Sequence, residues 1–490
     1  MLFNAIEFII FFVVVLSFIA IIRYRKFQHI FLLASSYFFF YFSSNYLLTL
    51  LIISTILDYY VGREIWKTTD KTRKKILLIL SLAGNLGLLG FFKYADFAID
   101  QFNILGNQFD LGTQIPLLNL ALPIGISFYT FQTISYTVDV YRGKLSPSDS
   151  LREFALFVAF FPQLVAGPIL RASQFLPQLR EKAENFSFHR NLKLITIQNR
   201  NLQFGITLMA FGFLKKMFFA DNIAPLVDSV FAYPIGLSSF EIFFGTIAFG
   251  VQIYCDFSGY SDIAIGAALI LGFKIPINFN KPYFATSPID FWRRWHISLS
   301  SWLRDYLYIP LGGNKKSKNR TYVNLFIVMF LGGLWHGASW NFVIWGTLHG
   351  IYLAAQKFIW DKFPSLKNHW FFKTTSGKVV SILITQYLVF LTWIPFRTNE
   401  PNHIIYSMQK FVLFDFQLNT ILPFLERHDF SAVLVIIFFA LNFITYKKPD
   451  LIQRLSKVRL RYWTILITFL LFLIIMFYDG IPQDFIYFRF

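Results

Sequence analysis

Apolar runs long enough to cross a bilayer recur along the whole chain, and no other feature constrains its fold as strongly. A helix needs ~20 consecutive apolar residues to span the hydrocarbon core. Candidate segments begin near residues 3, 29, 47, 76, 120, 153, 203, 236, 260, 321, 340, 379, 431 and 462. Of the 490 residues, 56% are hydrophobic and 15% charged; a soluble domain of that composition would expose far too much apolar surface. The chain therefore reads as an all-α polytopic membrane protein. It forms a single membrane domain, 1–490, since no hydrophilic domain interrupts the segments and no internal repeat is visible. The first run, Leu2 to Ile22, lacks a basic n-region and a small-residue cleavage site, so it reads as a retained helix. The one cysteine, Cys255, excludes an intramolecular disulfide framework and a Cys-cluster metal site.

The net charge of +18 invites a nucleic-acid reading, but its distribution argues against one. Loops 23–28, 62–75, 171–202, 274–320, 357–378 and 447–461 carry 35 Lys and Arg, whereas 93–119, 220–235, 397–430 and 479–490 carry 5. By the positive-inside rule the first group is cytoplasmic, which puts both termini outside. Segments 120–140 and 153–170 then lie between an outside and an inside loop, and so do 236–254 and 260–273. One of each pair must be re-entrant or flat, leaving about eleven transmembrane helices. Non-helical backbone at membrane depth needs a protein or water lining, so the helices are expected to enclose a polar tunnel.

The stretch from Asp290 to Gly350 concentrates the chemistry. It holds three of the eight histidines and six of the eleven tryptophans. A buried imidazole in an apolar span is costly to desolvate and reads as functional by default. His336 follows an apolar run of 14 residues, 321–334, too short for a full crossing. It is expected on a turn beneath the outer surface, with Gly332, Gly333 and Gly337 permitting close backbone approach. There it is a candidate general base; the plainer alternative is a hydrogen-bonded core histidine. His296 lies in DFWRRWHISLSSWLRD, an amphipathic helix with Trp292, Trp295, Leu299 and Trp302 at helical spacing. An interfacial anchor explains its arginines and tryptophans but not His296. Arg293, Arg294, Arg304 and Asp305, with Trp335, are the candidate substrate-binding residues. His349 suits packing better than chemistry, and His29, His189, His369, His403 and His428 sit in or beside loops. The tail Phe485–Phe490 should be extended or irregular and outside, where Tyr487 is either part of an aromatic anchor or a hydroxyl nucleophile. The three histidines lack metal-binding spacing, and no P-loop, dinucleotide fingerprint or nucleophile elbow is present.

At these residues the chain resembles the membrane-bound O-acyltransferase (MBOAT) family, in its bacterial branch that acetylates exported polysaccharides. The resemblance rests on LGFFKYADF (89–97), LPIGISFYTFQTISYTVDVYRG (122–143), FFPQLVAGPI (160–169), QIYCDFSGYSDIAIG (252–266), the 290–350 block and the terminal FIYFRF. It implies a coenzyme A thioester, with acetyl-CoA the expected donor, bound from the cytoplasm, and an acyl group delivered through a tunnel. It places the family's catalytic histidine on His336 and its second histidine on His296. It gives Tyr487 the role of relaying the acyl group to an extracytoplasmic SGNH-type partner; at Arg489 relatives often carry glutamine. The expected function is acetyl transfer outward across a bacterial inner membrane to a surface or exported polysaccharide, with membrane lipid around the protein, no bound cofactor, no metal and no nucleic acid. Two rivals are D-alanyl transfer to teichoic acid from a carrier-protein thioester and a polysaccharide or lipid transporter, for which the missing repeat is a poor omen.

Overall fold

In a low-dielectric surrounding each backbone N–H and C=O must be satisfied within its own segment, which selects helices. The computed structural model describes residues 1–490 except 23–24, 111, 113, 165–166, 185–198, 368, 416, 479, 481–482 and 489–490, and all regular elements among the described residues are helical. His189, Arg489 and Phe490 lie outside the described residues. Helical runs long and apolar enough to cross a membrane are Lys26–Lys67, Lys71–Gln108, Leu202–Phe231, Ser239–Ile270, Thr375–Arg397 and Asp429–Lys447; Ile6–Ile21 and Leu460–Met476 are shorter apolar helices.

Two compact units emerge. The first comprises Met1–Ile206 and Ile263–Pro276, the second Thr207–Asp262 and Ile277–Phe490. In the first unit, Leu48–Lys67, Lys71–Gln108 and Ile126–Tyr141 are tied by a buried polar knot. Asp58, with no exposed surface, accepts hydrogen bonds from Ser81, from Asn85 Nδ2 at 2.7 Å and from Thr137 Oγ1 at 3.0 Å. Asn85 Oδ1 in turn accepts from Ser54 at 2.5 Å and Thr133 at 3.2 Å. The donors that converge on this carboxylate and amide are what make their burial tolerable.

The structure sharpens the two irregular segment pairs. In the first pair the chain breaks into Ile126–Tyr141, Leu151–Ala159 and Phe161–Leu164, short pieces that fit the expected interruption. In the second pair the expectation fails: Ser239–Ile270 is one uninterrupted 32-residue helix. Its polar stretch DFSGYSD looked like a break in hydropathy, but these side chains are paired within the second unit. Asp256 pairs with Lys216 at 2.9 Å, Asp262 with Lys215 at 2.5 Å, and Ser261 accepts from Asn278 at 3.3 Å.

The run 321–334 is also longer than it looked. Ser317 caps a helix, Lys318–His336, of 19 residues that recruits polar residues into its first turn. It folds back on Trp340–Lys362. The seam between them is glycine. A Cβ on Gly333 would lie 2.4 Å from the Phe342 carbonyl oxygen and 2.8 Å from Gly346 Cα; one on Gly346 would lie 2.6 Å from the Met329 carbonyl oxygen. Only small residues allow such backbone approach. At Gly332 a Cβ would meet nothing closer than Leu303 at 3.5 Å, an ordinary contact. Gly333→Ala is therefore expected to force the hairpin apart and cost about 1–3 kcal/mol, read as a lower melting temperature in detergent, whereas Gly332→Ala should leave it nearly unchanged. Equal melting temperatures for the two variants would refute the seam.

Candidate active site

The hairpin decides where His336 sits. It is the last residue of Lys318–His336, 6% exposed, and the chain turns through Gly337–Ser339 directly after it. One turn into the returning helix, Trp345 sets its indole edge-on to the imidazole at 4.8 Å between ring centroids, and Phe396, at the end of Thr375–Arg397, lies at 5.2 Å. The helix end thus places one imidazole among aromatic rings.

His296 is held differently. It precedes the short helix Ile297–Leu303 with φ 43°, a left-handed conformation that a residue with a Cβ adopts at a cost of about 1–3 kcal/mol. Asn278 holds it there. The Asn278 carbonyl accepts from Ile297 N at 2.9 Å, and its side-chain Oδ1 lies 3.1 Å from His296 Nδ1 and accepts from Ser298 Oγ at 2.8 Å. An amide oxygen can only accept, so the network assigns the proton to Nδ1 and leaves the lone pair on Nε2. Nε2 is buried with no hydrogen-bond partner among the described residues, and His296 has no exposed surface. His296 belongs to the connection between spanning helices, and burial pushes its pKa down to about 3, so the ring is neutral.

The C-terminal tail packs against the site, and it is not the extended chain that was one of the two forms expected of it. Ile486–Phe488 form a 3-10 turn; Phe485 has no exposed surface, Ile486 is 7% exposed and Tyr487 is half-buried. The physical reason is that Phe485 and Tyr487 have aromatic surfaces to pack on: Tyr260 at 4.4 Å from Phe485, and Phe257 at 4.6 Å from Tyr487. The rings form a closed circuit. His296 lies 6.2 Å from Trp335, Trp335 5.0 Å from His336, His336 5.5 Å from Tyr487, and Phe257 lies 4.7 Å from His296. Apolar surroundings push the Tyr487 phenol up from its ordinary value, so its ionisation needs an adjacent base.

Of the residues singled out from sequence, the structure thus gathers His296, Trp335, His336 and Tyr487. The charged candidates have other settings: Arg293 is exposed, Arg294 pairs with Asp290 at 2.9 Å, and Arg304 reaches the adjacent Asp305 at 2.7 and 3.2 Å. These are local pairs of an amphipathic surface. His349 is a satisfied core histidine: Nδ1 accepts from Trp292 Nε1 at 3.2 Å, and Nε2 lies 3.0 Å from Thr392 Oγ1, which itself donates to the Val389 carbonyl. No group of three or more His, Cys, Asp or Glu that could hold a metal occurs among the described residues. Asn278 and Trp345 were missed. Neither disturbs the hydropathy pattern, and Asn278 acts from 18 residues away.

Together these features define a helical membrane protein in which the Tyr487 ring of the tail packs beside the buried His336 and, by way of Phe257, near the buried His296. Residues 39–391 match the family described as MBOAT, membrane-bound O-acyltransferase family, and the chain belongs to that family. Among its relatives are "Probable alginate O-acetylase AlgI" of Pseudomonas aeruginosa, 41% identical over 348 residues (71% of this chain and 62% of the relative), and the peptidoglycan O-acetyltransferase of Helicobacter pylori, 38% identical over 371 residues (71% and 66%). The teichoic acid D-alanyltransferase of Bacillus subtilis is 29% identical over 287 residues, covering 56% of this chain and 68% of that protein. The matched part thus spans 62% of the length of the alginate relative.

Asn278→Leu should cut acyl-transfer turnover roughly tenfold or more by leaving the buried His296 Nδ1–H and Ser298 hydroxyl without their acceptor. Asn278→Asp, which keeps an acceptor oxygen, should retain more. Turnover in Asn278→Leu equal to wild type would remove His296 from the account.

Proposed function

We propose that this protein is an O-acyltransferase that takes an acetyl group from a coenzyme A thioester on the cytoplasmic side of a bacterial inner membrane and passes it outward for O-acetylation of an exported or cell-surface polysaccharide. The observation that carries the reading is the packing of the Tyr487 ring against His336 in a chain of this family. His336 removes the phenol proton; the phenolate oxygen attacks the thioester carbonyl; the C–S bond breaks and the coenzyme A thiolate leaves, taking the proton back. An acetyl ester on Tyr487 results. A hydroxyl of the acceptor, presented by an extracytoplasmic SGNH-type partner, then attacks that ester and releases the phenol. The buried Trp345 indole N–H has no acceptor among the described residues, which suits it to donate to the carbonyl oxygen as charge develops there. The His296 Nε2 lone pair accepts a hydrogen bond from the bound donor. Acetyl transfer is favoured over D-alanyl transfer because relatives named as O-acetylases or an O-acetyltransferase match at 38–44% identity, against 29–30% for D-alanyltransferases.

The same reading fixes sidedness. Both termini outside requires an even number of crossings. Ile6–Ile21, the two helices within Lys26–Lys67, Lys71–Gln108, Leu202–Phe231, Ser239–Ile270, Lys318–His336, Trp340–Lys362, Thr375–Arg397, Asp429–Lys447 and Leu460–Met476 supply eleven. Ile126–Tyr141, 16 residues and largely buried, is the twelfth. The basic loops then all fall inside, and the tail falls outside beside the acceptor.

His336→Ala should lower ester content of the surface glycan by ~10²–10⁴-fold in rate, the usual cost of losing a general base, with the protein still in the membrane. Wild-type acetylation in a well-expressed His336→Ala strain would refute the assignment. Tyr487→Phe keeps the ring packing and removes the nucleophile; it should stop glycan acetylation while donor binding survives. Full activity of Tyr487→Phe would mean direct transfer to the partner or glycan.

A further inference from the structure

Lys216 is an anomaly that the chemistry above does not use. Within the apolar run Leu202–Phe231 its side chain is 2% exposed, where an unpaired ammonium would be prohibitive. The helix widens there: Leu214–Ala220 is a π-helical segment, a distortion common at functional sites. The wider turn sets Lys216 against Asp221, five residues on, at 2.8 Å, and Lys216 also pairs with Asp256 on Ser239–Ile270 at 2.9 Å. What remains of both charges goes to the tail. Lys216 Nζ donates to the Asp484 carbonyl at 3.2 Å, and Asp256 Oδ2 accepts from the Ile486 N–H at 2.7 Å.

We propose that Lys216 and Asp256 are a clasp that positions the Tyr487 hydroxyl against His336. The clasp grips main chain on either side of Phe485, so it sets the register of the tail rather than recognising a side chain. The same stretch of helix supplies the rest of the cradle: Phe257, next to Asp256, packs on both Phe485 and Tyr487, and Tyr260, one turn later, packs on Phe485. A slip of one residue would carry Phe485 off its cradle and turn Tyr487 away from the imidazole. An ion pair with both its partners buried is a poor device for stability, because hydrophobic residues of similar volume would serve as well or better. Fixing one conformation is the better-founded use. The clasp also borders a polar notch lined by Lys216, Asp221, Gln252, Asp256, Gln483 and Asp484. Shortening a clasp side chain therefore widens an existing notch with polar walls rather than opening a new void in the apolar core, and such variants are expected to fold.

The proposal rests on the Tyr487 relay, and its test keeps the two apart. The full-length protein in lipid nanodiscs is given acetyl-CoA, and three quantities are followed: hydrogen exchange of the C-terminal peptide, KM for the donor, and kcat. In Asp256→Ala and Lys216→Met, tail amides should exchange faster and kcat should fall roughly ten- to a hundredfold, the cost of a lost charged hydrogen bond, while donor KM stays within about twofold of wild type. The double variant should be no worse than the worse single one, as expected of groups acting as a unit. Lys216→Arg should recover most of kcat. Ile486→Pro deletes the N–H that Asp256 holds and leaves the buried pair intact; it should lower kcat as Asp256→Ala does. Unchanged tail exchange in Asp256→Ala, or fast exchange with wild-type kcat, would overturn the clasp. Loss of donor binding together with kcat would reduce it to a general structural role and overturn it equally. Full activity of Tyr487→Phe alongside inactive clasp variants would instead remove the relay, leaving the clasp to position the tail for another purpose.

Discussion

The backbone contact between Gly333 and Gly346 is what the rest of the site depends on. Without a hydrophobic drive between helices in lipid, close packing must come from shape, and glycine is the residue that lets two backbones approach so far. That contact makes Lys318–His336 and Trp340–Lys362 a rigid hairpin with His336 at its tip and Trp345 beside it. From this fixed point the other parts follow: Phe396 closes one side, Trp335 leads to His296, and the tail brings Tyr487 to the open side.

Several of the polar groups kept inside are matched by partners. Asp58 is quieted by three donors, His349 sits between Trp292 and Thr392, and Lys216 spends its ammonium on two carboxylates and a carbonyl. His296 Nε2 is not satisfied in this way: it is a lone pair with no partner among the described residues, in a ring whose tautomer is set from its other side by Asn278. In a protein interior an unmet acceptor is expensive to keep, and the proposed acyl donor is what would meet it.

The helical membrane class was legible in the sequence, and so were His336, His296 and Tyr487 as candidates, because a titratable or nucleophilic group in or beside an apolar run is an anomaly visible without a structure. Trp335 was legible by adjacency. Other features were hidden for identifiable reasons. The continuity of Ser239–Ile270 was masked because hydropathy treats Asp256, Ser261 and Asp262 as exposed charge and polarity, while pairing with Lys216, Asn278 and Lys215 neutralises them. Arg294, Arg304 and Asp305 were read as candidate substrate-binding residues; what the sequence did not reveal is that Arg294 pairs with Asp290 four residues away and Arg304 with the adjacent Asp305. Asn278 carries no anomaly at all; its meaning is purely tertiary. Lys216 and Asp256 were open to the rule that singled out the histidines.

The central claim is that an acyl group rests on Tyr487 between donor and acceptor. The direct measurement is mass spectrometry of the C-terminal peptide from the full-length protein, acid-quenched after incubation with isotopically labelled acetyl-CoA in the absence of glycan acceptor. The account predicts a labelled acetyl ester on Tyr487 in the wild type and none in His336→Ala. An unlabelled Tyr487 in a preparation that goes on to acetylate its acceptor would contradict it.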